Sequence, residues 1–172
     1  MSAVSRLSFV AVAALVIAVV PAVSSSAYPT AFDSISTGSG ARDVAFTPNG
    51  RFAYVANEFD DTVSVIDVIA GAVVQTVAVG DQPIGVAVTP DGSEVWVANF
   101  ANGTGAGTAT RIRTSDNTVV GTPVPAGLGA TKIVFSPDGS TAWIANDREF
   151  ISGEFGTISV IRMSDHVKTD TI

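Results

Sequence analysis

Thr47-Pro48-Asn49-Gly50 recurs as Thr89-Pro90-Asp91-Gly92 and again as Ser136-Pro137-Asp138-Gly139, at spacings of 42 and 47 residues. Seven residues after each glycine stands an asparagine: Asn57, Asn99 and Asn146. An aromatic-aliphatic-alanine triplet precedes each one: Tyr54-Val55-Ala56, Trp96-Val97-Ala98 and Trp143-Ile144-Ala145. Ten residues before each turn proline lies Gly38, Gly80 or Gly127. Matching at this many fixed offsets marks an internal repeat.

Each repeat reads as four short strands. The first is apolar, as in Ile84 to Thr89. A Pro-Asx-Gly turn follows, in which proline presets its own φ while Asx and Gly accept the remaining turn geometry. The second strand, as in Ser93 to Ala98, is rich in aromatic and β-branched residues. The third alternates, as in Thr62-Val63-Ser64-Val65-Ile66-Asp67, and the fourth is Ala72 to Val79. Four strands in about 42 residues make a β-propeller blade. The expected fold is therefore all-β, with about three four-stranded antiparallel blades. Their bounds fall near 34–71, 72–118 and 119–165, with a final strand at 166–172.

The repeats differ in length in one loop. Five residues separate Asn57 from Thr62, nine separate Asn99 from Thr108, and eleven separate Asn146 from Thr157. A further inserted residue in the second repeat falls near Pro123 to Pro125. Insertions concentrated in one loop mark one face of a repeat assembly.

Ahead of the repeats, Arg6 precedes an apolar run from Leu7 to Val20, then Pro21 and the small residues Ser24 to Ala27. This is the layout of a secretory signal peptide, cleaved after Ala27. The run is shorter than the ~20 residues that span a bilayer, so a membrane anchor is the weaker alternative. The expected location is secreted, periplasmic or cell-surface. Without Arg6, eight basic residues face sixteen acidic ones over residues 28–172, a net charge of −8. Such a chain repels nucleic acid and anionic membrane surfaces. With no cysteine, stability in an oxidising compartment must come from packing.

Pro48-Asn49-Gly50, Tyr54-Val55-Ala56-Asn57, Thr62 to Asp67 and Val79-Gly80-Asp81-Gln82-Pro83 together resemble the YVTN-type β-propeller repeat. The resemblance covers about 34 to 172 and is more specific for fold than for function. It implies an exported bacterial or archaeal protein; some related propellers are lactonases, lyases or cofactor enzymes. Family propellers usually close with about seven blades, and this chain supplies three. Two bare blade faces of on the order of 500 Å² each would forfeit roughly 25 kcal/mol at ~25 cal/mol/Å². That exceeds the net stability of a typical domain, about 5–15 kcal/mol. The expectation is that chains self-associate to close a ring, or that the sequence is a fragment of a longer propeller.

In a propeller the loops joining strand four to strand one, and strand two to strand three, share the face around the channel. Arg42, Asp43 and Lys132 sit at the start of innermost strands, and Asp147, Arg148 and Glu149 sit in the third long loop. They are the ligand-face candidates, read either as a polar pocket or as a solvated rim. Asn57, Asn99 and Asn146 read as structural, satisfying backbone where a strand turns. Tyr54, Trp96 and Trp143 read as packing between blades. His166, the one histidine, belongs to the last strand at the periphery, so a Ser-His-Asp triad is not expected. Glu58, Asp60 and Asp61 form the densest acidic group but lack the Asp-x-Asp-x-Asp-Gly calcium pattern. No metal and no cofactor is expected. Asn102-Gly103-Thr104 is a glycosylation sequon. The leading functional expectation is a binding or scaffold module for a protein, glycan or small ligand. The alternatives are a part of a lactonase- or lyase-like enzyme and a structural surface component.

Overall fold

The computed structural model describes residues 34–101, 106–147 and 155–172. The signal-peptide segment, the sequon, Arg148 and Glu149 lie outside the described residues. The described chain forms β1 (Ala41–Phe46), β2 (Phe52–Asn57), β3 (Thr62–Asp67), β4 (Ala72–Ala78), β5 (Pro83–Val88), β6 (Glu94–Asn99) and β7 (Ala106–Arg113). β8 (Thr118–Val119), β9 (Val124–Leu128), β10 (Ala130–Phe135), β11 (Thr141–Asn146), β12 (Thr157–Arg162) and β13 (Val167–Thr171) complete it. Three antiparallel sheets follow in chain order, β1-β2-β3-β4, β5-β6-β7-β8 with β9 also on β7, and β10-β11-β12-β13. This is a partial β-propeller of three blades.

The sheets run one strand out of phase with the sequence repeat. β4 hydrogen-bonds to β3, so the first blade spans 41–78, while residues 34–37 form no strand. β8 and β9 both pair with β7 and are halves of one fourth strand. The break between them coincides with the extra residue near Pro123 and Pro125. Proline cannot donate to a ladder, so the strand yields there.

The turn signature is a local hydrogen-bond device. Thr47 Oγ1 donates to Asn49 Oδ1 at 2.7 Å, and that oxygen also accepts the Arg51 N–H at 3.0 Å. Thr89, Asp91 and Ser93 repeat the pattern, as do Ser136, Asp138 and Ser140. The glycine closing each turn has a positive φ, 67° at Gly50.

Blades stack through an alternation of faces. Tyr54, Ala56, Val63 and Val65 of the first blade form one buried cluster with Val86, Val95, Val97 and Ile112 of the second. Trp96, Ala98 and Ala109 of the second blade form another with Ile133, Ala142, Ile144 and Ile161 of the third. Both faces of β6 are therefore covered, and Val95 through Ala98 are fully buried. At the axis β5 lies between β1 and β10. Gly85 allows that approach: a Cβ there would stand 2.3 Å from the backbone oxygen of Thr131.

Two glycine substitutions separate these causes. Gly50 has nothing within 4 Å of an added Cβ, so Gly50→Ala carries only the left-handed backbone penalty, about 1–2 kcal/mol in urea denaturation. Gly85→Ala must displace a neighbouring strand and is expected to cost more. Equal losses would contradict this reading of the axis.

Candidate functional site

Strand register in the first blade puts the 4–1 and 2–3 loops on one face. Ala41 pairs with Asn57, Asn57 with Thr62, and Thr62 with Ala78. The 4–1 and 2–3 loops therefore emerge from the same edge of the blade. They also bond to one another: Asp61 Oδ1 accepts Gln82 N–H at 2.8 Å, Asp60 Oδ2 accepts Ser39 N–H at 2.6 Å, and Asp147 N–H donates to Gly129 O at 2.8 Å. The acidic group of Glu58, Asp60 and Asp61 is thus divided among separate partners. Among the described residues, no group of three or more His, Asp or Glu side chains is placed to hold a metal ion.

The repeated asparagines are spent on the scaffold. Asn57 Nδ2 donates to Thr62 Oγ1 at 3.0 Å and Ser64 Oγ at 2.9 Å. Asn99 bonds Thr108 and Thr110 in the same way, and Asn146 bonds Thr157 and Ser159. Each amide packs beneath the repeated glycine, where an added Cβ would come within 2.6 Å at Gly38 and Gly80 and 2.4 Å at Gly127. Asparagine and glycine are thus two halves of one tie between the 4–1 loop and the sheet.

The two candidate cations among the described residues, Arg42 and Lys132, are both anchored. Arg42 forms an ion pair with Glu58, and its guanidinium is held more firmly protonated by that hydrogen bond and charge. Lys132 Nζ lies 2.7 Å from Asp43 Oδ2. That same oxygen accepts the Val86 N–H at 3.0 Å, across the joint between the first two blades. Asp43, Gly85 and Lys132 occupy equivalent positions, opposite Ala56, Ala98 and Ala145 and just past a bulge in each blade. The absent side chain at Gly85 lets the backbone at Thr131 and Lys132 approach β5 closely, and Lys132 bonds Asp43 on its far side. Spacing to the turn proline could have revealed this column, since all three residues lie five positions before it. In both pairs the carboxylate is largely buried and the cation half exposed.

The three repeated aromatics diverge. Tyr54 and Trp96 are fully buried between blades, whereas Trp143 is partly exposed on the outer face of the third. Burial raises the Tyr54 hydroxyl's pKa, and the hydroxyl donates to Asn117 Oδ1 at 2.6 Å.

At the opposite edge, the Pro-Asx-Gly turns border a cavity of about 530 Å³ lined by residues including Asp91, Glu94, Asp138 and His166. A similar wedge between the first two blades is lined by Thr47, Asn49, Asp91 and Thr114. Such wedges arise wherever blades diverge from the axis. His166 sits in the last 3–4 turn at φ 57°, the counterpart of Asn117 at 55° and Gly71 at 62°. It packs 5.6 Å from the Trp96 ring, and its Nε2 is 3.0 Å from Arg111 Nη1. Burial, then the Arg111 charge, lowers its pKa from 6.5.

Residues 22–99, just under half of the chain, match the family model described as "Lactonase, 7-bladed beta-propeller". Among solved structures, the chain is similar to Kuenenia stuttgartiensis hydrazine synthase, with a TM-score of 0.70 and 26% identity. The alignment covers 75% of this chain and 36% of that one, so the chain spans about a third of that structure's length. A comparison with curated proteins found no match. Both likenesses are to β-propellers or propeller-like structures and agree with the blades described above.

His166 gives a pH test. Its folded-state pKa is depressed, so the unfolded chain takes up the proton first as pH falls through 6.5. Stability is full above that value and declines below it. His166→Asn, which copies Asn117, should flatten the dependence of the urea midpoint between about pH 8 and about pH 5. An unchanged slope would show that the histidine contributes nothing to it.

Proposed function

We propose that the chain is an exported module of YVTN-type propeller repeats that binds a partner through its long-loop face. Export after cleavage at Ala27 would place it in the periplasm, at the cell surface or outside the cell. The carrying observation is the pair of half-exposed cations, Arg42 and Lys132, each fixed by a largely buried carboxylate. A buried acid that fixes a cation removes the rotamer freedom binding would otherwise cost. Such a rim suits a carboxylate-bearing glycan, an acidic protein loop or a small carboxylate, even on a chain of net charge −7. Asn99 and Asn146, after which the sequence carries its insertions, end their strands at the same edge, where loops on a rigid scaffold carry recognition.

A second reading rests on the match of residues 22–99 to the lactonase propeller model. In it, this chain supplies part of a lactone-hydrolysing assembly, and the remaining catalytic groups come from further blades or a partner chain. Hydrolysis of simple lactones by the assembled form, and not by this chain alone, would favour this reading over a binding module.

A thermal-shift screen of acidic glycans, hydroxy acids and lactones tests the site. A ligand at a hundred times its Kd stabilises the fold by about 2.7 kcal/mol. The Arg42→Ala/Lys132→Ala double variant should fold and lose that shift. Ligands that shift both proteins equally would remove this face from consideration.

A further inference from the structure

The loop face carries a matched pair of residues that the repeat does not require. Gly40, Gln82 and Gly129 each stand immediately before the first strand of a blade, with a positive φ of 73°, 51° and 69°. In each blade the carbonyl oxygen at this position accepts the N–H of the residue after the repeated asparagine, Glu58, Phe100 or Asp147. One residue further, Phe59 N–H donates to Ser39 O and Ala101 N–H donates to Asp81 O, so Phe59 and Ala101 are counterparts. What fills the two positions differs between blades. The Phe59 ring lies over Gly40, where an added Cβ would stand 2.8 Å from its Cδ2. In the second blade Gln82 supplies a side chain and alanine replaces the ring. Glycine and aromatic therefore go together, and the loop makes the same backbone bonds without either.

Phe59 is 67% exposed, so its ring adds little to the core. Its mount is nonetheless fixed. Asp60 Oδ2 accepts the Ser39 N–H at 2.6 Å, and the Asp60 N–H bonds Asn57 O at 3.4 Å. Phe100 shows the contrasting use of an aromatic on this face: it is half-buried, with its Cε2 3.0 Å from where a Cβ would stand at Gly129 of the third blade. The residue before Phe59 is Glu58, which holds the half-exposed Arg42. Lys132 ends on Asp43, the residue after Arg42. The first blade thus presents a flat ring on the same edge as two cations, while Glu58, Asp60 and Asp43 are turned to internal bonds.

We propose that this edge binds a glycan built of carboxylate-bearing sugars, with one sugar ring lying on Phe59 and the carboxylates meeting Arg42 and Lys132. The inference rests on the binding reading of the long-loop face and adds the ligand class to it. A pyranose presents a face of C–H bonds that suits a flat aromatic surface, while its hydroxyls stay in water. An acidic peptide would bring apolar side chains that need an enclosing pocket, whereas the Phe59 ring stands open. A cationic ligand on the ring would be repelled by Arg42. A chain of net charge −7 also disfavours densely charged partners, and a sugar acid carries only one charge per ring.

Isothermal titration of the purified chain with trigalacturonate, its methyl ester and hexaglutamate tests the ligand class. Trigalacturonate should bind, and the ester and the peptide should bind more weakly by on the order of tenfold. Phe59→Leu keeps an apolar side chain but removes the flat ring, and should weaken trigalacturonate binding by on the order of tenfold. Phe59→Trp restores a flat ring and should recover most of that loss. Arg42→Gln should shrink the preference for the acid over its ester. All three should keep the wild-type circular dichroism, since both side chains are exposed. Trigalacturonate that fails to bind, or that hexaglutamate outbinds, overturns the glycan. The binding face would still stand in that case if another ligand's thermal shift depended on Arg42 and Lys132. Binding lost with Arg42→Gln but indifferent to Phe59→Leu overturns the role of the ring. Binding indifferent to both removes the face itself.

Discussion

The contact between a strand-two aromatic and the next blade's 3–4 turn is the interaction on which the rest of the molecule depends. A four-stranded blade cannot bury both of its faces alone. Tyr54 and Trp96 convert adjacent blades into shared cores, and each meets a turn residue in a left-handed conformation, Tyr54 through its hydroxyl and Trp96 through its ring. The aromatic supplies buried area, and the turn supplies its contact on the neighbouring blade. Trp96 shows how fully this is used: its ring is buried, its Nε1 donates to Glu94 at 2.9 Å, and Phe135 of the next blade meets it edge to face.

The loop face inherits its geometry from these joints. Asp43 holds the Val86 amide of the second blade and the Lys132 ammonium of the third, so one carboxylate registers three innermost strands. If the blades turned relative to one another, that column would come apart and the cations would lose their anchors. Binding geometry and fold stability are therefore coupled through the axis, where Gly85 permits the approach.

Much of this was legible in the sequence, because the informative signals are local. The Thr/Ser-Pro-Asx-Gly block encodes a turn within four residues through its own side-chain hydrogen bonds. The pairing of Asn57, Asn99 and Asn146 with Gly38, Gly80 and Gly127 could be read as a repeat, although its physical cause, an amide packed beneath a missing Cβ, appears only in three dimensions. Other features depend on distant neighbours. The pairing of Asp43 with Lys132 joins residues in different blades, and the sequence showed two charges but not the glycine between them. Trp143 repeats Trp96 in sequence yet differs in burial, because burial depends on which blade lies alongside. His166 reads in sequence as part of a peripheral last strand, and only its place in the 3–4 turn shows it to be the counterpart of Asn117.

The most direct test of the joint is a double-mutant cycle on Tyr54→Phe and Asn117→Ala, read by urea denaturation of the single and double variants. Tyr54 Oη and Asn117 Oδ1 belong to different blades and stand 2.6 Å apart. The account predicts a coupling energy of about 1 kcal/mol, within the range for contacting residues. Losses that add to within about 0.3 kcal/mol would mean the two residues are energetically independent, and would contradict the claim that aromatic-to-turn contacts hold the blades together.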